Sequence, residues 1–231
     1  AKKEIRIIGD RSLSKRDFSR VTTPLAIFGA NIVSNKKKLP VKIKGSEFLR
    51  PITFNEKLGS AQCKSSVMLA AIKTSGKTII KAKKSRNHTE LIFKYLKIPI
   101  KVLRKKNYDL IQIDGPANFR GFDYKIPGDI SSSSFFLVLT LLVDKSRLLI
   151  KNVNVNNSRT GIIKILNKMN AKILLKNKRN YNGEDIADIF AKSNKNLISI
   201  DCPEKLNSSA IDEFLVIFLV AAKAKGVSIF R

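Results

Sequence analysis

Three polar segments of the sequence stand where an apolar helix is expected to begin. They are residues 59–66, 128–134 and 208–213, each rich in Ser, and the last two also contain acidic residues. A helix N-terminus carries unpaired N–H groups and a partial positive charge, so it can bind a phosphate or a carboxylate. The same Ser and Asp residues can also act as ordinary N-caps of their helices. Each segment is therefore a candidate anion site, with capping as the alternative.

Two basic segments add the positive charge that an anion would need. In residues 84–90, Ser85 and Arg86 precede a predicted helix, where a hydroxyl and a guanidinium could grip one phosphate. Residues 9–16 form a polar turn with three cations after a predicted strand at 5–8. His88, the only histidine, is better explained as a packing or capping residue than as a base or a ligand.

Several familiar site motifs are absent. The sequence has no glycine-rich phosphate loop, no dinucleotide-binding glycine pattern and no nucleophile-elbow motif. Cys63 and Cys202 stand far apart, with no Cys or His partners at metal-ligand spacing. We therefore expect no metal site and no disulfide framework, and the cysteine content fits a reducing compartment.

Composition narrows the class of protein. With 231 residues, 43% of them hydrophobic, the chain can form one large domain or two smaller ones. Its longest apolar runs, 135–143 and 214–222, fall short of the ~20 residues that span a bilayer. No signal-peptide pattern is present, so we expect a cytoplasmic protein without membrane contact. Both ends look cut through folded structure, which suggests a fragment.

The net charge of +27 raises the alternative of a nucleic-acid-binding protein. The 45 Lys and Arg residues are, however, spread over the whole chain and are not interleaved with aromatic residues. The chain is also rich in Asn and Ile, whose codons share the AT bias of Lys codons. A codon bias would thus explain the charge without any selection for RNA or DNA.

Internal repetition predicts the fold. A helix of intermediate hydrophobicity followed by a strand occurs three times, at 18–33, 88–102 and 161–174. In two of these copies Gly29 or Asn170 predicts the end of the helix. A nearly all-apolar helix followed by a strand also occurs three times, at 62–82, 132–151 and 211–230, with the last strand at Val227–Phe230. Helices that are apolar all round should be buried on every side. The pattern predicts an α/β fold of repeated βαβαββ units, with buried helices inside and sheets outside.

A domain boundary is expected where a loop with Gly and Pro at 115–121 precedes a restart of the repeat. We place the first domain at residues 1–125 and the second at 126–231.

Seven short segments of the sequence form a recognisable series. They are IGDRSLSKR (8–16), SAQCKS (60–65), SRNHTE (85–90), IPGDISS (126–132), SRTG (158–161), GEDIAD (183–188) and IDE (211–213). Together they resemble successive signatures of the EPSP synthase (3-phosphoshikimate 1-carboxyvinyltransferase) family, in family order and spacing. The resemblance is closest to the bacterial branch that has Ser-Ala-Gln where others have Ser-Ser-Gln.

The resemblance implies a two-domain inside-out barrel of the enolpyruvyl transferase type, each domain having three βαβαββ units. The chain would cover the later part of the first domain and the first part of the second. The reaction implied transfers the carboxyvinyl group of phosphoenolpyruvate to the 5-hydroxyl of shikimate 3-phosphate, in the pathway to chorismate and the aromatic amino acids. The resemblance implies no cofactor and no nucleic-acid partner, and we expect a monomer when the protein is complete and an inactive chain when it is not.

The resemblance also implies roles for individual residues. Those matching the shikimate 3-phosphate contacts are Ser60, Ala61, Gln62, Ser85, Arg86 and Asp212. Arg16 and Gln62 match the phosphoenolpyruvate contacts. Asp212 matches the proton acceptor, and Glu213 beside it is a candidate to assist the proton transfers. A carboxylate near a helix start, opposite cations, is also reasonable as a base for a hydroxyl.

The match has departures and rivals. Asp17 and Asn157 stand where the family usually has Pro, and Asn87 replaces an Asp, but none of these removes a named binding group. The nearest alternative is a UDP-N-acetylglucosamine enolpyruvyl transferase, which shares the fold. It fits less well because its loop carries a Cys that residues 9–16 lack. An RNA-binding or RNA-end-processing protein on a related fold is the other alternative, supported by charge alone.

Overall fold

The computed structural model describes residues 3–231 as two compact units. The first extends to Gly121 and the second runs from Phe122 to Arg231. Each consists of antiparallel or mixed β-sheet with helices packed against it. The chain is thus an α/β protein, as the repeat pattern predicts.

The described part of the first unit, from residue 3 onward, contains seven strands in two sheets. One sheet has the order β1-β3-β2 and is antiparallel, whereas the other has the order β4-β5-β7-β6, with β4 parallel to β5 and the other pairs antiparallel. A short 3-10 helix, Leu13–Lys15, precedes α1. The elements are β1 (Ile5–Ile7), α1 (Ser19–Phe28), β2 (Asn31–Asn35), β3 (Lys38–Lys44), β4 (Thr53–Glu56), α2 (Ala61–Ala71), β5 (Gly76–Lys83), α3 (His88–Tyr95), β6 (Ile100–Arg104) and β7 (Tyr108–Gly115).

The segment from β4 to β7 is one complete βαβαββ unit. The preceding segment repeats its later part, because β1-β3-β2 has the strand order of β5-β7-β6. In β5, Thr78, Ile80 and Ala82 are buried while the lysines between and beside them are exposed. One face of this sheet therefore packs against the helices, and the other carries Lys side chains into solvent.

The second unit repeats the same order. Its sheet is β8-β10-β9, and Gly128 forms a parallel bridge with Val153 at the place that β4 occupies in the first unit. A 3-10 helix, Glu204–Leu206, precedes α6. The elements are α4 (Ile130–Leu142), β8 (Arg147–Asn154), α5 (Gly161–Lys168), β9 (Lys172–Tyr181), β10 (Glu184–Lys192), α6 (Asn207–Ala210) and α7 (Phe214–Lys223).

Two of the predicted helix ends are confirmed by backbone geometry. Gly29 follows α1 with φ of 110°, a left-handed conformation that glycine adopts without steric cost. Asn170 ends the turn after α5 with φ of 66°. Each residue reverses the chain into the strand that follows.

Two details of the third repeat differ from expectation. The residues from Val227 to Phe230 do not form a strand. An isolated parallel bridge pairs Ile229 with Asp201, and another, just before this segment, pairs Lys225 with Ile198. The last helix begins at Phe214 instead of Ile211, so Asp212 lies in a turn and Glu213 takes the N-cap position.

The expectation that the apolar helices are buried on every side is wrong. In α2, Leu69 is 58% exposed. The departure is larger in α4 and α7. Leu137 and Ile217 are fully buried, but Phe135 is 65% exposed, Phe136 60% and Leu215 78%. Within the second unit these two helices pack on each other and α4 packs on β8 and β10, which covers only part of their circumference. The unit therefore has an apolar helical face that its own residues leave exposed.

Candidate active site

The start of α2 is fixed by a buried carboxylate. Glu56, at the end of β4, accepts hydrogen bonds from the backbone N–H groups of Leu58 (2.9 Å), Gly59 (2.9 Å) and Ser60 (3.0 Å). Ser60 then caps the helix by accepting from the N–H of Cys63 at 3.2 Å. Gly59 has φ of 72°, which favours glycine. Glu56 thus fixes the backbone of the turn that leads into Ser60, Ala61 and Gln62.

A second predicted segment, the loop with Ser85 and Arg86, is tied directly to α2. The Lys64 ammonium donates to the carbonyl of Arg86 at 2.8 Å and to Glu90 Oε1 at 2.6 Å. The hydroxyls of Ser65 and Thr89 share a further hydrogen bond of 2.6 Å. The structure therefore brings together two candidate phosphate-binding segments that lie over twenty residues apart in sequence.

The hydroxyl of Ser85 is a candidate hydrogen-bond donor to a ligand. Its oxygen is buried, and among the described residues it has no hydrogen-bond partner. A buried polar group left unpaired costs about 1–3 kcal/mol. A phosphate oxygen accepting from this hydroxyl would remove that cost. The backbone of this loop also lies close to the turn before α2. A Cβ added to Gly59 would lie 3.5 Å from the carbonyl oxygen of Lys84.

The charges near the α2 start favour an anion. The first turn of α2 has no acidic residue, and Gln62 is exposed there. Burial and the neighbouring carboxylate of Glu56 raise the pKa of the Cys63 thiol, and the positive charge of Arg20 acts against them. Arg20 lies in α1, which packs on α2. The first turn of α2 thus adds no negative charge of its own, and the effect of the Glu56 carboxylate, which binds the preceding N–H groups, is opposed by the positive charge of Arg20.

Arg16 lies in the loop between β1 and α1, where its side chain is exposed. Its backbone N–H donates to the carbonyl of Leu13 at 3.0 Å. Asp17 accepts from the N–H of Ser19 at 2.6 Å, and the hydrogen bonds with Ser19 lower the pKa of Asp17. Asp17 thus holds the first turn of α1 at a position where the family that the sequence resembles usually has Pro.

In the second unit, side chains of the predicted segment at 128–134 take part in a network of hydrogen bonds. Asp129 caps α4 by accepting from the N–H and the hydroxyl of Ser132, both at 3.0 Å. The guanidinium of Arg159 donates to Asp129 at 2.9 Å. Burial alone would raise the pKa of Asp129, but the bonds from Ser132 and the charge of Arg159 outweigh it and keep that pKa low. The predicted capping role is therefore confirmed for Asp129.

The same network reaches the predicted carboxylates. Ser131 accepts a hydrogen bond from Arg159 and donates one to Glu213, whose side chain is buried. Asp212, the next residue back, is exposed. Asp212 is thus accessible to a ligand, whereas Glu213 is buried beside it. Their roles in proton transfer stay predictions.

Sequence reasoning missed the residues that position these groups. Glu56, Glu90 and Arg159 were not assigned roles, and Lys64 was noted only as part of a motif. Lys64 gave a usable signal, because a single charge within an otherwise small and apolar helix needs a buried partner. The partner itself, 26 residues away, has no local signature.

The structure also bears on cofactors and membranes. Among residues 3–231, no three His, Cys, Asp or Glu side chains come close enough to hold a metal ion. Cys63 and Cys202 are free and buried. Within the same range, no helix combines the length and the apolar character needed to cross a membrane.

The fold belongs to a class of repeated α/β proteins that includes enolpyruvyl transferases. The enolpyruvyl transferase NikO from Streptomyces tendae matches 96% of the chain with a TM-score of 0.70 at 15% identity, which establishes the shared fold. EPSP synthase from Acinetobacter baumannii matches 98% of the chain with a TM-score of 0.84 at 35% identity.

The chain belongs to the EPSP synthase (3-phosphoshikimate 1-carboxyvinyltransferase) family, whose profile matches residues 1–231. Proteins with that enzyme's name from Ruthia magnifica and Caldicellulosiruptor bescii are 42% and 39% identical to it, each over 96% of the chain. The chain spans about half the length of these relatives, namely 50% and 52%, as expected for a fragment. The resemblance stated from the motifs is confirmed, and the UDP-N-acetylglucosamine enzyme is not favoured.

Proposed function

We propose that the complete protein containing this chain transfers the carboxyvinyl group of phosphoenolpyruvate to the 5-hydroxyl of shikimate 3-phosphate and releases phosphate. The observation that carries the proposal is the connection between the α2 start and the Ser85–Arg86 loop. In a chain of this family, the contact between Lys64 and the backbone of Arg86 and the unpaired buried hydroxyl of Ser85 support the proposal.

The binding roles follow from these charges. Ser60, Ala61 and Gln62, with Ser85 and Arg86, are proposed to hold shikimate 3-phosphate. The guanidinium and the helix N-terminus provide charge-assisted hydrogen bonds, which are stronger than neutral ones.

Phosphoenolpyruvate is the second anion, and Arg16 and Gln62 are proposed to hold it. Two multiply charged substrates repel each other, so fixed cations and helix termini are needed to keep them side by side. The exposed position of Arg16 leaves its guanidinium accessible to such a ligand.

The proton transfers are proposed for the second unit. The 5-hydroxyl adds to the enol carbon of phosphoenolpyruvate and gives up its proton to Asp212, while the methylene carbon takes up a proton. Phosphate then leaves as one proton is lost from the new methyl group, which restores the double bond. Glu213 is proposed to assist, and no cofactor enters the balance.

We make further proposals about the location, the oligomeric state, the partners and the domains of the complete protein. We infer a cytoplasmic enzyme that is a monomer when complete, without nucleic-acid or membrane partners. We also propose residues 1–125 and 126–231 as parts of its first and second domains.

Phosphate release from phosphoenolpyruvate tests the proposal. The complete protein should release phosphate only when shikimate 3-phosphate is present, and the 231-residue chain alone should show no turnover above a blank lacking shikimate 3-phosphate. A complete protein that binds neither substrate would overturn the proposed function.

A further inference from the structure

Lys64 and Glu90 form an ion pair in the interior of the first unit. Their side chains are 1% and 4% exposed, and the ammonium lies 2.6 Å from Glu90 Oε1. Burying two charges costs so much solvation that an apolar pair of similar volume is often equally stable or more stable. Stability alone is therefore a weak explanation for a buried pair at this place.

The other contacts of the pair suggest a different reason. Lys64 also donates to the backbone carbonyl of Arg86 at 2.8 Å, and Arg86 is a proposed phosphate ligand. Glu90 lies in α3, just beyond the loop, and fixes the direction of the ammonium. One turn of α2 thus carries both the exposed Gln62 and the buried cation that holds the neighbouring loop.

A second contact reinforces the first. The hydroxyls of Ser65 in α2 and Thr89 in α3 are 2.6 Å apart. Two adjacent residues of α2 therefore hold the beginning of α3 and the loop before it. A loop held at two points keeps its side chains in place before the ligand arrives, which reduces the entropic cost of binding.

We propose that Lys64 is a positioning residue for the phosphate of shikimate 3-phosphate, acting through the carbonyl of Arg86, with Glu90 orienting it and the Ser65–Thr89 contact assisting. This inference rests on the proposed function and names residues that set the geometry of the same site. Lys64 is too deeply buried to touch the substrate itself.

The test separates positioning from stability. In the complete protein, Lys64→Met leaves the Glu90 carboxylate buried without a cation, so both the thermal midpoint and shikimate 3-phosphate binding should fall. The double variant Lys64→Met/Glu90→Leu removes both charges and should regain most of the thermal midpoint. Its Kd for shikimate 3-phosphate should stay about tenfold or more above that of the wild type, because the Arg86 carbonyl has lost a charged donor.

Phosphoenolpyruvate supplies the internal comparison. Its KM should change by less than about threefold in the double variant, since the loop is proposed to hold the other substrate. Restored stability together with shikimate 3-phosphate binding within about twofold of the wild type would overturn the proposal. Equal weakening of both substrates would also overturn it, because that result indicates a general structural role.

Controls keep the outcomes distinct. Met68→Ala, one turn further along α2, opens a cavity in the core and should lower the thermal midpoint while leaving the Kd unchanged. If the Lys64 variants do not fold, the double variant Ser65→Ala/Thr89→Val tests the proposal instead. We expect it to weaken shikimate 3-phosphate binding selectively, by about threefold. No loss of binding would overturn the proposal. Absence of binding in the wild type would instead refute the proposed function.

Discussion

The first helices of the two complete repeats start in contrasting ways. In the first unit, α2 has a neutral cap, Ser60, and Lys64 extends from the helix to the loop before α3. In the second unit, α4 has a charged cap, Asp129, and Arg159 extends from the loop before α5 back to the helix. The same two parts of the repeat are connected in both units, but the cation comes from opposite sides.

The contrast separates two tasks within one repeated fold. At α4, the positive end of the helix and the guanidinium are already paired with Asp129, so little charge is left for a ligand. At α2, the cation Lys64 is buried and the cap, Ser60, is uncharged, while the Glu56 carboxylate binds N–H groups that precede the helix. The uncharged cap of α2 supports the proposal that the phosphate binds there and not at α4.

Asp212→Asn should give the largest effect if the second unit carries out proton transfer. Asn can still form hydrogen bonds but cannot take up the proton of the 5-hydroxyl, so turnover in the complete enzyme should fall about 10²–10⁴-fold. Binding of shikimate 3-phosphate and the thermal midpoint should change far less. Steady-state turnover and direct binding, measured side by side, check this; near-normal turnover would leave Glu213 as the next candidate.

Arg16→Ala should affect binding more than chemistry. Charge-assisted hydrogen bonds contribute about 1.5–3 kcal/mol each, so the affinity for phosphoenolpyruvate should fall roughly 10- to 150-fold. Shikimate 3-phosphate should bind almost normally. Titration of each substrate separately provides the measurement, and equal losses for both would show that Arg16 only supports its loop.

Removing the two caps compares the units directly. Ser60→Ala and Asp129→Ala should each lower the free energy of unfolding by about 0.5–2 kcal/mol, the usual range for a lost N-cap. Only Ser60→Ala should also weaken shikimate 3-phosphate binding. Denaturant titration and ligand titration of both variants test this, and a similar loss of binding in Asp129→Ala would remove the distinction between the two helix starts.

The smallest expected effect is on thermal stability at low pH. The folded-state pKa of Asp129 is lowered, so its stabilising contribution is present above the unfolded value of about 3.9 and is lost as the pH falls through the folded pKa. Asp129→Asn still caps α4 but does not titrate. Its thermal midpoint should therefore decline less than that of the wild type on acidification below about pH 4. Parallel declines in both proteins would contradict the assigned role.

The repeats could be predicted from sequence because each element carries its own periodicity. The helix at 88–95 and its strands were recognisable from local spacing, and Gly29 and Asn170 marked the turns. The family motifs then located the candidate binding residues. These signals act over one or two turns, so no long-range contact was needed to recognise them.

The connections within the site could not be predicted in this way. Ser131 and Glu213 are 82 residues apart, and their contact depends on how α4 and the turn before α7 pack. Hydrophobicity also overstated burial, since an apolar helix shows how much surface could be covered and not what covers it. Phe135 and Leu215 are examples, because both lie in apolar helices and both are exposed.

A crystal structure of the complete protein with bound shikimate 3-phosphate would test the central claim most directly. The account predicts the phosphate at the start of α2, with its oxygens within hydrogen-bond distance of Ser60, the unpaired hydroxyl of Ser85 and the guanidinium of Arg86. A phosphate bound instead at the start of α4, beside Asp129 and Arg159, would contradict the division of tasks between the two units.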